Sequence, residues 1–436
     1  MLVAGLGASG VAAVRYLLSE GADVSVWDAT GTPPKLAEIS GKVSAADNFC
    51  GKPVNELPLK TYQTAVLSPG ISLVSDLAVS LQAAGVEIIG DIELFARAAN
   101  DAGVPVIGIT GSNGKSTVTT LVGEMAKAAG LRVGVGGNLG PPALDLLKPD
   151  AQLYVLELSS FQLETTTSLR CKAATILNLS QDHLDRHVTM AHYGRIKATI
   201  FNRCEHIIAN RDDAAVLALS PKSVTTFGID KPAAQQYGLI EAAHGLSLAY
   251  GDEAVLPQSA LNIFGLHNAA NALAALALAD AAGIPRVASV AALKAFAGLP
   301  HRCEFVAEVA GVSYFNDSKG TNVGSTVAAI NGLPAPIVWL AGGQGKGQDF
   351  SELSEPLARK GRVAILFGED AEKIEQDIAG ALPVYREMDI FAALKRASGI
   401  AVSGDRVLLS PACASFDQFK SYVDRGEKFR AAVKAL

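Results

Sequence analysis

The sequence predicts an α/β protein of three domains. Strand-like runs alternate with helical ones over most of the 436 residues, the signature of parallel βαβ units. The runs fall into three groups, each with glycine-rich or polar turns at its strand exits. A chain of this length also suits roughly three domains at ~100–200 residues each.

The first group opens with 2-LVAG-5, a helix near 10–20, and 23-DVSVWD-28, followed by 64-TAVLSPG-70 and 86-VEIIG-90. The second begins at 104-VPVIGIT-110 and continues through 131-LRVGVGGN-138, 151-AQLYVLELSS-160 and 173-AATILNLS-180. An irregular stretch follows over roughly 205–262, with short strand signals such as 246-LSLAY-250, and then a helix over 267–283 closed by Gly283. The third group starts after 299-LPHRCEF-305 and offers 312-VSYFNDS-318, 336-PIVWLAGG-343, 363-VAILFG-368 and 406-RVLLSPACAS-415. The expected domains are 1–90, 91–298 and 299–436.

Hydrophobic residues make up 49% of the chain and charged residues 18%, a balance suited to ordered domains with large cores. A net charge of -6 without a long lysine or arginine run argues against a general nucleic-acid or acidic-membrane surface, while leaving room for a local basic pocket. Cys50, Cys171, Cys204, Cys303 and Cys413 form no CxxC pair, so neither a zinc site nor a disulfide framework is indicated. The opening MLVAGLGASG has no basic segment and reads as a strand, not a signal peptide. The alanine-rich 269-AANALAALALADAAG-283 is too short to span a membrane and contains Asp280. A soluble, reducing, cytoplasmic setting is expected.

The most specific signal is 106-VIGITGSNGKSTVTT-120, a strand, a glycine turn and a helix in that order. Gly111-Ser-Asn-Gly114 is shorter than the usual phosphate-binding spacing. Its glycines still let backbone N–H groups approach phosphate oxygens, and the helix points its positive end at the same place. Lys115 is placed to reach outer phosphates and the Ser116 hydroxyl to ligate Mg²⁺. The earlier 5-GLGASG-10 has dinucleotide-loop spacing with Asp28 at the end of the next strand. Alone it is a weak signal, and the competing reading is a tight turn that binds nothing.

Glu157 lies in the apolar run YVLELSS. Either it is buried and needs a partner, for which Mg²⁺ is the natural choice, or it sits at an exposed strand end. The segment 178-NLSQDHLDRH-187 gathers Asp182, His183, Asp185 and His187, which suits metal, substrate or a capped loop. Lys197, in 192-HYGRIKATIF-201, reads from spacing alone as a solvated lysine on a helix. In the third group, 316-NDSKGTN-322, 342-GGQGKGQDF-350 and 410-SPACASFDQF-419 would share the C-terminal edge of one sheet. Together they suggest a small-anion site with Thr321, Lys346 and Ser415 as partners.

TGSNGKST, GGN at 136–138, ELSSFQLE at 157–164, NLSQDHLDRH, GLHNAANALAAL at 265–276, GLPHRCE, NDSKGTN and SPACASFDQF occur together and in order. By these motifs the chain resembles the Mur ligase family over essentially its whole length. The stretches 87-EIIGDIELF-95, ELSSFQLE and SPACASFDQF point to the branch that adds D-glutamate to UDP-N-acetylmuramoyl-L-alanine. The resemblance implies a Rossmann-like UDP-binding domain, a central P-loop-type ATPase domain and a C-terminal Rossmann-like domain that carries much of the amino-acid site. It implies a cytoplasmic, monomeric ATP-dependent ligase of peptidoglycan-precursor synthesis.

The family's substrate positions fall on Ala8, Ser9, Asp28, Ala29, Ser68, Pro69 and Gly70, with Asn138 near the acyl centre. ATP would lie on Gly111, Ser112, Asn113, Gly114, Lys115, Ser116 and Thr117, with adenine at Asn268 and Asn271, phosphate at Arg302 and ribose at Asp317. D-Glutamate would meet Thr321, Lys346, Ser415 and Tyr422. The resemblance also makes Lys197 the lysine carbamylated by CO₂. Ser116 and Glu157 would hold one Mg²⁺, and Glu157, His183 and carbamylated Lys197 a second; His183 is expected to orient and bind metal more than to act as a base.

The chain departs from the family pattern at Gln344, where aspartate is common, at Tyr422, a frequent phenylalanine, and at Gly320, a common alanine expected to loosen its turn. Competing readings are a Mur ligase for L-alanine or a diamino acid (no DNPR motif is present), a folylpolyglutamate synthase-like ligase, a nicotinamide oxidoreductase built on 5-GLGASG-10, and a non-catalytic nucleotide sensor.

Overall fold

The computed structural model describes residues 1–243 and 245–436, and the side chains of all of these except 184 and 185. Three sheets follow one another along the chain. The first has the order β2-β1-β3-β4, from β1 (Leu2–Ala4), β2 (Ser25–Trp27), β3 (Thr64–Leu67) and β4 (Glu87–Gly90), all parallel. Its strands are short and apolar because helices cover both faces. The helix Ala8–Ser19 leaves β1 through a turn in which Gly5 has φ 83°. A Cβ on Gly10 would lie 1.8 Å from the Gly5 carbonyl oxygen, so glycine is required there by close approach.

The central sheet has nine strands: β5 (Val106–Thr110), β6 (Val133–Gly137), β7 (Leu153–Glu157), β8 (Cys171–Ile176), β9 (Cys204–Asn210), β10 (Thr225–Phe227), β11 (Tyr237–Ala242), β12 (Gly245–Tyr250) and β13 (Glu253–Pro257). Their order is β13-β12-β11-β10-β9-β8-β5-β7-β6. β11, β12 and β13 form an antiparallel meander; the other pairs are parallel. The stretch expected to be irregular therefore extends the sheet by five strands. CEHIIAN in β9 is exposed at its start and buried only near its end, so it shows neither a continuous apolar run nor strict alternation.

Helix Leu266–Ala281 buries Asn268, Ala269 and the run 271–279 against this sheet and helix Lys115–Ala128. Its alanines allow that close packing, which is why it looks membrane-like in composition. The first sheet is fastened to the central domain by helix Asp91–Ala102. Glu93 on it is 1% exposed and accepts hydrogen bonds from the Thr167 and Ser168 amides at 2.8 and 2.9 Å.

The third sheet runs β14-β15-β19-β16-β17-β18, from β14 (Glu304–Val309), β15 (Val312–Asn316), β16 (Ile337–Gly342), β17 (Gly361–Phe367), β18 (Val384–Arg386) and β19 (Arg406–Leu409). β14 is antiparallel to β15 and the rest are parallel. Trp339 is fully buried, and its indole N–H donates to the Ser410 carbonyl at 2.8 Å. Burial of such a side chain is worth roughly 1.5–3 kcal/mol or more. The hydrogen bond also fixes the path of the chain as it leaves β19.

Candidate active site

β5 ends between β7 and β8, and its exit turn becomes the start of helix Lys115–Ala128. Gly114 has φ 83°, and a Cβ there would sit 2.5 Å from Asn271 Oδ1. The turn is held from the β8 exit: Ser112 N donates to the Asn178 carbonyl at 2.9 Å and Asn113 N to Asn178 Oδ1 at 2.8 Å. Lys115 Nζ folds back onto the Gly111 and Ser112 carbonyls at 2.8 and 2.9 Å. Burial lowers the pKa of this ammonium, with Glu157 and Asp182 opposing. Thr117 is buried in the first turn of the helix.

The two readings of Glu157 are now separable. It is 3% exposed, and both carboxylate oxygens are engaged: Oε2 accepts from Ser116 Oγ at 2.6 Å and Oε1 from Asn138 Nδ2 at 2.6 Å. Arg302, which follows the third sheet's entry turn, donates from Nη2 to the same Ser116 hydroxyl at 2.6 Å. One hydroxyl thus joins the glycine turn, a strand-end carboxylate and a guanidinium from the third domain.

Lys197 corrects the spacing-based reading. It is 1% exposed, because helix Met190–Ala198 turns its Tyr193, Gly194 and Lys197 face inward; positions four apart share a face. Its Nζ donates to the Gly111 carbonyl at 3.0 Å and Thr110 Oγ1 at 3.3 Å, and lies 4.6 Å from the Tyr193 ring centroid. Burial, then the neighbouring Lys115, push its pKa well below the usual lysine value. Tyr193, not singled out from the sequence, contacts Ser112 Oγ through its hydroxyl at 3.2 Å.

The 178–187 cluster divides. Asp182 and His183 line a cavity of about 590 Å³ that also holds Lys115, Ser116, Asn138 and Glu157. His183 has φ 53° and its ring meets Phe161 edge-on at 4.8 Å. His187 is fully buried with Nε2 2.9 Å from Ser160 Oγ. The Asp185 side chain lies outside the described residues.

From the third sheet, Arg302, Thr321, Lys346, Ser415 and Tyr422 line the same cavity. Arg425 ties their loops from beneath: it is fully buried and donates to the Ser318 and Cys413 carbonyls at 2.9 and 3.0 Å. Gln344 acts here through its backbone, exchanging hydrogen bonds with Ala414 at 3.0 and 2.9 Å. Lys319 also lines the cavity, with Nζ 4.2 Å from the Tyr422 ring centroid and its pKa lowered to about 8 by burial and then by Arg302. NDSKGTN contained this lysine, but a lysine in a turn gives no sequence sign of burial.

Asp317 is turned inward. Its carboxylate accepts from Ser410 Oγ at 2.7 Å and the Cys303 amide at 3.1 Å, and it does not line the cavity. The expectation that Gly320 loosens its turn gives way to a packing reason: a Cβ there would lie 2.4 Å from Asp317 Oδ2. Burial raises the Asp317 pKa to about 7. The folded state therefore holds a proton that an unfolded carboxyl, with a pKa of ~3.9, has lost. Stability contributed at this site falls as pH rises from about 4 through about 7. In Asp317→Asn, the amide oxygen can accept from the Cys303 N–H while the amide NH₂ donates to a Ser410 hydroxyl turned toward Thr326, and urea unfolding at pH 5 and pH 8 should show a smaller loss of stability across that window than in the parent. An unchanged loss would contradict this assignment.

Asn268 and Asn271 are buried beside the glycine turn, linked at 3.1 Å. The first-sheet residues form a separate group outside this cavity. Ala8 and Ser9 start the first helix, and Ala29 and Gly70 are exposed. Asp28 Oδ2 accepts from the Leu6 amide at 2.7 Å and Oδ1 from the Thr30 amide at 3.0 Å. Ser68 Oγ donates to the Gly5 carbonyl at 2.6 Å, which joins the β1 and β3 exits; Pro69 follows in the same turn.

A Mg²⁺ ion fits the donor set. Ser116 and Glu157 present hard oxygens within 2.6 Å of each other. No group of three or more His, Cys, Asp or Glu able to hold a metal occurs among the described residues. Few protein ligands suit an ion that keeps several waters and shares substrate phosphates.

Three family models match the chain: a Mur ligase MurD-like N-terminal domain at residues 1–90, a Mur ligase middle domain at 109–279 and a Mur ligase glutamate ligase domain at 301–413. The chain is 49% identical to the UDP-N-acetylmuramoylalanine--D-glutamate ligase of Pseudomonas aeruginosa, covering 100% of this chain and 98% of that protein. It is 47% identical to the ligase of the same name from Nitrosococcus oceani, covering 100% and 96%. Among solved structures, a pseudomurein peptide ligase type C from Methanothermus fervidus aligns with a TM-score of 0.62 at 18% identity, covering 100% of this chain and 99% of the other. The UDP-N-acetylmuramate-alanine ligase MurC from Thermotoga maritima aligns at 0.60 and 16%, with the same coverage. These structural likenesses show the fold.

Proposed function

This chain belongs to the Mur ligase family, and we propose that its central cavity uses ATP to activate a carboxylate for amide formation. It is a peptidoglycan-precursor ligase that adds D-glutamate to UDP-N-acetylmuramoyl-L-alanine. The observation that carries the ATP reading is the meeting of Glu157, Arg302 and the glycine-turn helix at the Ser116 hydroxyl.

In the first step, a carboxylate oxygen of the L-alanyl end forms a bond to the γ-phosphorus. The bond to the β-phosphate oxygen breaks, and ADP leaves. Lys115 leaves its loop carbonyls to meet the outer phosphates, and Arg302 adds a second fixed cation to the developing charge. Mg²⁺, when bound, neutralises phosphate oxygens. Ser116 and Glu157 would hold one ion, and Glu157, His183 and carbamylated Lys197 another. Asn138, anchored on Glu157, orients the acyl end.

In the second step, the neutral amine of D-glutamate attacks the acyl carbon. A tetrahedral intermediate forms, the bond to phosphate oxygen breaks, and the amine gives up a proton. Thr321, Lys346, Ser415 and Tyr422 are the proposed D-glutamate partners, in a region already positive from Arg302 and Lys319. Asn268 and Asn271 would meet adenine, and the Ala8, Ser9, Asp28, Ala29 and Ser68–Gly70 group the UDP portion; Asp317 would meet ribose only by turning out from its bonds to Ser410 and Cys303. Lys197 carries the amine best prepared to take up CO₂, since burial favours its neutral form.

We place the enzyme in the cytoplasm, where ATP is supplied, as a monomer with domain limits 1–90, 91–298 and 299–436. No helix among the described residues is long and apolar enough to cross a membrane. An amino-acid panel with UDP-N-acetylmuramoyl-L-alanine and ATP, read as phosphate release, tests the reading. D-Glutamate alone should support turnover; turnover with L-alanine or a diamino acid, or with a folate and L-glutamate, would assign another ligase.

A further inference from the structure

We propose that Arg186 is a positioning residue that registers the 68–71 turn of the first sheet against the central segment carrying Asp182 and His183. The inference rests on the reading that this turn holds the UDP-linked substrate.

The Arg186 side chain is 13% exposed and does not line the catalytic cavity. Its guanidinium nevertheless touches two separate pieces of the molecule, the 68–71 turn and the 160–164 segment. Nη2 donates to the Ile71 carbonyl at 3.1 Å and to Glu164 Oε2 at 2.6 Å, and the guanidinium carbon lies 4.9 Å from the Phe161 ring centroid. Each contact leads to a functional element. The Ile71 amide closes its turn onto the Ser68 carbonyl at 2.9 Å, and Ser68 Oγ reaches Gly5 of the first loop at 2.6 Å. The Phe161 ring is the surface against which His183 rests. Glu164 Oε1 lies 3.5 Å from His187 Nδ1, and His187 contacts Ser160.

A planar guanidinium can stack on a ring and donate in its plane at once, whereas an ammonium cannot do both. The acceptor on the first sheet is a backbone carbonyl, so the contact fixes where the turn sits and not which side chain it carries. Movement of the substrate turn relative to His183 must break this contact. Small misplacements of a reacting group cost rate steeply.

Steady-state kinetics of full-length Arg186→Ala and Arg186→Lys, varying each substrate in turn, test the assignment. Arg186→Ala should raise KM for UDP-N-acetylmuramoyl-L-alanine at least about tenfold and leave KM for ATP within about twofold. Arg186→Lys keeps a donor for Ile71 but loses the stack, so its rise should be selective and smaller, about threefold. If the alanine variant does not fold, the lysine variant carries the test alone. Calorimetric binding of the UDP-linked substrate without ATP should weaken in parallel.

A KM for that substrate within twofold of the parent would overturn the inference, as would an equal rise for all three substrates with a lowered melting temperature. Parent protein that fails to bind the UDP-linked substrate would overturn the functional reading and this inference together. Parent binding with an unaltered variant overturns this inference alone.

Discussion

Lys115→Ala is expected to lower substrate-dependent ADP release by about 10³-fold, the scale of losing one fixed charge donor to a reacting anion. The structure says why the loss should be chemical. Lys115 is the first residue of its helix and the helix start is fixed by Gly114, so the turn's path does not depend on the lysine side chain. Its two bonds to the Gly111 and Ser112 carbonyls are the stabilising contacts removed, each worth about 1 kcal/mol. The variant should therefore remain folded by circular dichroism. ADP release near the parent rate would show that the turn does not hold the transferring phosphate.

Lys197→Ala should lose activity by about 10²-fold or more, as expected for a residue that helps assemble a metal site, and regain part of it with added short-chain carboxylates. Truncation leaves a space next to the Gly111 carbonyl and the Tyr193 ring, where formate or acetate can supply the anionic oxygen that a carbamate would. The direction of the pKa shift supports the same chemistry: an amine pushed toward its neutral form by burial can attack CO₂, with the proton passing to solvent. Removal of dissolved CO₂ at mildly acidic pH should depress the parent enzyme and leave the alanine variant unaffected. Full activity in the variant without added carboxylate would refute the role.

Much of this site was legible because its strand, glycine turn and helix are written in local spacing. A strand, GxxGKS and a helix place Lys115 and Ser116 whatever surrounds them. The parallel strand exits likewise gather Glu157, Thr321, Lys346 and Ser415 at sheet edges. What spacing could not convey was burial that depends on distant packing. Lys197 occupies a helix with exposed Arg195 nearby, and only contact with the β5 exit turns it inward. Asp317 sits in a polar turn that gives no hint of its inward bond to Ser410, 93 residues away. Strands β9, β10, β11 and β13 escape for a related reason: partial exposure dilutes their apolar pattern, and their pairing is decided by neighbours already in the sheet. Arg186 is the same case, a charged residue in a short polar segment whose partners lie in two other parts of the chain.

The central claim is that ATP converts the terminal carboxylate of the UDP-linked substrate into an acyl phosphate in the cavity around Ser116. The direct measurement is a single reaction with UDP-N-acetylmuramoyl-L-alanine labelled with oxygen-18 in its terminal carboxylate, followed by mass spectrometry of the released phosphate. One labelled oxygen in each phosphate is the predicted result. Phosphate that carries no label, while D-glutamate is incorporated, would contradict it.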